Sequence, residues 1–154
     1  MTPTQIQYLV QHTLISVIIS CAIGVFFVWL VFGQQDAISL WGTKGLGIDF
    51  LPQSFMIAFM GVLMPSLITR KNLQANKIEP LETRTIKLPK NVIVRALTLA
   101  FCAMFIGSSI ATLVLSFFLN GPISLTATVI LKTIYSALVA IAVTPLALMA
   151  TLQE

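Results

Sequence analysis

Four uninterrupted apolar stretches constrain this chain more than any other feature. They occupy residues 11–32, 50–69, 92–119 and 125–151. Each is long enough, as a helix, to cross about 30 Å of hydrocarbon, which takes roughly 20 residues. In lipid a spanning segment must satisfy its own backbone N–H and C=O groups, so only helices and closed barrels qualify. The stretches are continuous and do not alternate with the period of two that a barrel strand of about 10 residues needs. The expected fold is therefore all-α, a single membrane domain over 1–154 with four transmembrane helices. Composition agrees: 57 % of residues are hydrophobic and 9 % charged, against about 25 % charged in a soluble domain.

The first stretch is expected to be a retained helix and not a cleaved leader. No Lys or Arg precedes Lys44, and no Ala-x-Ala-like exit follows the long apolar run. Cys21 and Cys102 both fall inside predicted helices, with no Cys/His metal spacing around them. They read as small packing residues.

The basic residues set the orientation. Seven of the nine Lys/Arg are Arg70, Lys71, Lys77, Arg84, Lys87, Lys90 and Arg95, between the second and third stretches. The positive-inside rule puts that segment in the cytoplasm, and four spans then put both termini there too. Tyr8, Trp29 and Trp41 suit the membrane interface. The 70–95 segment can attract anionic lipid headgroups, or can serve as a topogenic signal and nothing more. Glu79 and Glu82 dilute its charge, and Pro80 and Pro89 break any helix there. It has no aromatics and no recognised motif, so nucleic acid is not an expected partner.

The connections suggest two tandem hairpins: hairpin one at about 11–69, a basic linker at 70–91, and hairpin two at about 92–151. The halves look alike. Ile38-Ser39-Leu40 follows the first stretch and Ile123-Ser124-Leu125 the third, while Pro65 and Pro145 stand near the ends of the second and fourth. Both hairpins enter from the cytoplasm, so a repeat would be parallel, with its pseudo-two-fold axis along the membrane normal. Small residues mark close helix packing at a spacing of four: Ser16, Ser20 and Gly24 in the first stretch, and Ala103, Gly107 and Ala111 in the third. Pro65 and Pro145 each remove a helix hydrogen bond and can kink their helices.

Lys132 is the one full charge well inside a stretch. It lies about 10 Å from the nearer end of the fourth helix at 1.5 Å per residue. One reading has its stem snorkelling to the headgroups. The other uses its neighbours: Thr128, Lys132, Tyr135 and Ser136 share one helical face, and Asp49 and Gln53 share another on the second helix. If the faces meet, Asp49 neutralises Lys132 while Gln53, Thr128, Tyr135 and Ser136 fill the remaining hydrogen-bond positions. Such a group is either a structural pair or a ligand site.

No other chemistry stands out. His12 is the only histidine, which leaves no metal cluster and no paired haem ligands, so no cofactor is expected. No phosphate loop, catalytic carboxylate pair or nucleophile–base set is visible, so no catalytic residue is expected either. Met56, Met60 and Met64, four apart, read as a packing stripe.

GLGIDFLPQSF at 45–55, with Pro65 and then Thr69, Arg70 and Lys71 beyond it, resembles a pattern in small uncharacterised bacterial four-helix membrane proteins. The half running from Leu88-Pro89 to Pro145 is similar to short two-helix proteins that open with Leu-Pro. These resemblances imply a bacterial inner (plasma) membrane and no particular activity. Size and tandem hairpins are also similar to the proteobacterial antimicrobial-compound efflux transporters. This chain departs from that family because its first helix has no acidic residue, which argues against the same proton-coupled export. Two functions are compatible with these features. One is that of a non-enzymatic protein working through helix–helix contacts with a membrane-protein partner or with itself. The other is that of a small oligomeric transporter or channel with an outer-leaflet polar site at Asp49 and Lys132.

Overall fold

A computed structural model describes residues 2–81 and 86–154. Glu82 and Arg84 of the basic linker lie outside the described residues. Regular secondary structure among the described residues is helical: α1 Pro3–Phe32, α2 Leu46–Gln74, α3 Val92–Cys102, α4 Ser108–Phe118 and α5 Leu125–Leu152. One π turn, Ala103–Gly107, joins α3 to α4, so the two form a single span, Val92–Phe118. Among the described residues, four helices are long and apolar enough to cross a membrane, which makes this an integral membrane protein by length and composition.

Capping explains why the helices outrun their apolar stretches. The Thr2 hydroxyl accepts from the Gln5 N–H (3.3 Å), the Gln5 side chain accepts from the Thr2 N–H (2.9 Å), and Pro3 fills the first turn. This reciprocal box satisfies two donors that a helix start leaves free. Asn91 caps α3 through the Ile93 N–H (3.0 Å), and Ser124 caps α5 through the Ala127 N–H (3.3 Å). α2 runs as one helix through Pro52 and Pro65, and α5 through Pro145.

The packing order is not the order of the chain. α5 lies along both α1 and α2, and α2 lies along α3 and the π turn. The Val92–Phe118 span makes little contact with α5, the next helix in the chain. The interior divides into two apolar clusters. One joins Ile57, Ala58 and Val62 of α2 to Ala96 and Ala100 of α3 and Val139, Val143 and Ala147 of α5. The other, toward the short loops, gathers Val28, Phe32, Ile38, Leu40, Leu46 and Phe50.

Ser16, Ser20 and Gly24 all turn inward and are buried. A methyl at Gly24 would run into the Ser136 hydroxyl and sit 3.3 Å from Gln53 Nε2, so only glycine lets α1 come this close. Ala103, Gly107 and Ala111 are half-buried instead. The π turn supplies the reason. Its extra residue rotates the remainder of the span, so Ala96 and Ala100 are buried before it and Ser108, one place beyond Gly107, is buried after it.

The two ends of the bundle are tied differently. At the short-loop end, Ile38 and Ile123 form an antiparallel bridge, each N–H donating to the other's carbonyl at 2.8 Å. At the other end, Glu154 accepts from Arg70 and from Arg95, both at 2.8 Å. Arg95 is wholly buried and also donates to Thr151 Oγ1 (2.6 Å). Tyr8 meets Thr69 Oγ1 at 3.1 Å and accepts from Asn72 Nδ2 at 3.0 Å. The Leu81 N–H donates to the Leu152 carbonyl (2.7 Å), fastening the middle of the linker to the end of α5.

Candidate functional site: a closed ion pair between α2 and α5

Asp49 stands in the first turn of α2, and Lys132 lies two turns into α5. Because α2 and α5 pack along each other, the two faces read from the sequence meet. The Lys132 ammonium is paired with the Asp49 carboxylate. Lys132 is 0 % exposed and Asp49 7 %, so the lysine turns into the bundle and does not snorkel. Two aromatic rings close over it. The centroids of Phe32, at the end of α1, and Phe50, beside Asp49, lie 5.4 and 5.6 Å from Nζ. A cation at that distance is attracted by the negative face of a ring, most strongly where water is excluded. The ammonium thus has one opposite charge and two π faces in place of its hydration shell.

A second polar layer lies one turn deeper. Gln53 Nε2 donates to the Ser136 hydroxyl (2.8 Å), which donates onward to the Lys132 carbonyl (2.7 Å). The neighbouring hydroxyls of Ser54 and Tyr135 share a hydrogen bond (2.6 Å), and the Tyr135 ring packs edge-on to Phe50 with centroids 4.6 Å apart. A methyl at Gly107 would come within 3.0 Å of that tyrosine oxygen, so the half-buried glycine makes room for it. Deeper again, Ser16 of α1 meets Thr144 of α5 at 2.8 Å. Thr128 is buried, but its hydroxyl donates to the Ser124 carbonyl of its own helix (3.0 Å); it flanks the pair without bonding to it.

The structure thus brings together Asp49, Gln53, Lys132, Tyr135 and Ser136 and leaves Thr128 at the margin. Phe32, Phe50, Ser54, Ser16 and Thr144 also belong to the assembly, although the sequence did not single them out for it. Ser54 and Phe50 lie within a turn of Gln53, so the helical period held a signal for them. Phe32 comes from α1, and no local pattern pointed to it. Among the described residues, Gln53 Oε1 is buried without a hydrogen-bond partner.

Beside this layer, a groove of about 420 Å³ opens between the Val92–Phe118 span and α5. Phe50, Gly107, Ala111, Leu131, Tyr135 and Val139 are among its lining residues. It arises from the packing order, since these two helices scarcely touch. Its walls are apolar, and the ion pair lies behind Phe50 and Tyr135. Met56, Met60 and Met64 are exposed, and Met60 and Met64 line a groove between α2 and α1 beside Ser16 and Ser20. Comparison of the chain with protein-family models, with curated protein sequences and with solved structures finds no match in any of the three.

Proposed function

We propose that the chain is a non-enzymatic protein of a bacterial inner membrane that works through helix–helix contacts, as an accessory or assembly subunit or a self-associating scaffold. It is built as two tandem hairpins with the basic linker and both termini in the cytoplasm. One observation carries the reading. The strongest chemistry within the spans, Asp49 with Lys132, is turned wholly inward and sealed by Phe32 and Phe50. What the molecule offers its surroundings is shape and apolar surface, including the open groove along α5 and outward residues such as Trp29, Phe117 and Phe118.

The hairpin reading rests on reciprocity. In a two-fold interface, if one residue contacts a second, the equivalents of the two must make the same contact with roles exchanged. One shift along the chain carries Gln53 onto Tyr135 and Ser54 onto Ser136, and it exchanges the Gln53–Ser136 and Ser54–Tyr135 hydrogen bonds. The same shift carries Ile57 onto Val139, Ala58 onto Ala140 and Thr69 onto Thr151, all buried. The Ile38–Ile123 bridge joins the two matching Ile-Ser-Leu motifs to each other. The packing is exchanged as well: α1 lies on the other hairpin's α5, and α3 on the other hairpin's α2. Pro65 and Pro145 fall at different places in this register.

Gln53 Oε1, buried and unpartnered among the described residues, favours the second reading. In it, an oligomer of the chain conducts a small solute past the Asp49–Lys132 site. Flux in proteoliposomes separates the two. The contact reading expects no flux from the native protein, and it expects one stoichiometric partner, or the chain itself, on crosslinking in the membrane. A flux abolished in folded Lys132→Met and Asp49→Asn variants would overturn it in favour of transport.

A further inference from the structure

We propose that Asp49 and Lys132 form a pairing key, the asymmetric element that makes hairpin one and hairpin two obligate partners of each other across an otherwise two-fold interface. The inference rests on the tandem-hairpin reading and is independent of any partner or solute.

An interface with two-fold character carries a specific hazard. Two hairpins that present equivalent surfaces to each other can also pair like with like, hairpin one of one copy on hairpin one of another. The hydrogen bonds at Gln53, Ser54, Tyr135 and Ser136 do little against this. Their exchange relation means that each hairpin carries both a donor and an acceptor for its own double. Nor do Ile57 and Val139, or Ala58 and Ala140, which are near-identical pairs.

The ion pair differs. The register that exchanges the hydrogen bonds places Lys132 opposite Phe50 and Asp49 opposite Leu131. The carboxylate therefore belongs to hairpin one alone and the ammonium to hairpin two alone. Lys132 and Phe50 are equivalent positions, yet they touch, with Nζ 5.6 Å from the ring; this position lies close to the axis. Pairing hairpin two with itself would bring two ammonium groups together at that point, with no carboxylate within reach. Pairing hairpin one with itself would bury two Asp49 carboxylates against phenylalanine rings. Removing the partner of a buried charge is strongly destabilising, and repulsion of this kind discriminates between otherwise similar partners. Only the unlike pairing closes the circuit.

The bridge supplies the assay. Ile38 and Ile123 open the matching Ile-Ser-Leu motifs, three residues out of the helical register, and pair with each other, so in a like pairing Ile123 would meet Ile123 of a second copy. Hydrogen-bonded antiparallel residues have Cα atoms about 5.5 Å apart, within the range a disulfide spans. The full chain is made with Cys21 and Cys102 changed to Ala, and then with Ile38→Cys and Ile123→Cys, together or singly. The double-cysteine chain should form an internal disulfide in the membrane, while either single-cysteine chain should stay free of disulfide-linked dimer. Adding Asp49→Leu and Lys132→Phe, which gives each position its equivalent's residue, should raise dimer from the Ile123→Cys chain at least five-fold. Asp49→Lys with Lys132→Asp, which restores an unlike pair, should return it to the native level. Asp49→Asn with Lys132→Met serves as a second neutral pair if the first lowers the yield of folded protein. Native-level dimer in a neutral variant that still forms the internal disulfide would overturn the key. Failure of the internal disulfide in the native-charge chain would instead overturn the hairpin arrangement itself.

Discussion

An ammonium placed deep in an apolar helix is among the costlier side chains a membrane protein can carry, and Lys132 has no exposed surface to relieve it. Its tolerance depends on Asp49 and on the two rings, so removing one charge is worse than removing both. Asp49→Asn or Lys132→Met alone should cost about 3–5 kcal/mol, and the pair together clearly less than the sum; denaturant titration in detergent measures this. Gly24→Ala should cost about 1–3 kcal/mol by overpacking α1 against Ser136, and Ser136→Gly added to it should recover part of the loss in the same titration. Much of this site was legible in the sequence. The helical period put Lys132 and Ser136 on one face and Asp49 and Gln53 on another, and left open whether the faces meet. Whether Lys132 would pair or snorkel was not legible, because that depends on which helix stands beside α5. The burial of Arg95 was illegible for a similar reason. In the sequence it is one more charge of the basic run, and its burial is created only where the end of α5 folds over the start of α3.

Among the elements, the Val92–Phe118 span is the one whose regularity the sequence overstated. Continuous apolar character predicts an unbroken α-helix, and the small residues at spacing four predict one straight contact stripe. The π turn at Ala103–Gly107 interrupts both. A π turn amounts to one extra residue within a helix, so deleting one should restore regular α geometry. Deletion of Met104 should therefore be tolerated far better than deletion of Ile110, judged by the yield of monodisperse protein. The helix starts carry cap residues that the apolar stretches did not single out: Asn91 accepts from the Ile93 N–H and Ser124 from the Ala127 N–H. Ser124→Ala should lower stability by about 1 kcal/mol.

At the scale of the whole molecule, the four spans were legible from length and apolarity alone, because hydrocarbon leaves a chain so few options. Their packing order was not, since neighbours in sequence are usually neighbours in space, and here the two halves exchange partners. The proposed orientation has a direct check. A cysteine at Gly121, in the short turn before α5, should react with an impermeant maleimide from outside the cell, and one at Asn76, in the linker, only after permeabilisation. The exchange of packing partners also has a consequence in time. Asp49 leaves the ribosome about 80 residues before Lys132, which at roughly 5–20 residues per second is about 4–16 s. Throughout that interval α1 and α2 wait in the bilayer with a carboxylate and an amide that nothing yet answers. On the proposed topology Asp49, in the first turn of α2, waits near the outer surface, where water can hold its charge. Lys132 then arrives on α5, so the insertion of that helix and the sealing of the interior become a single event.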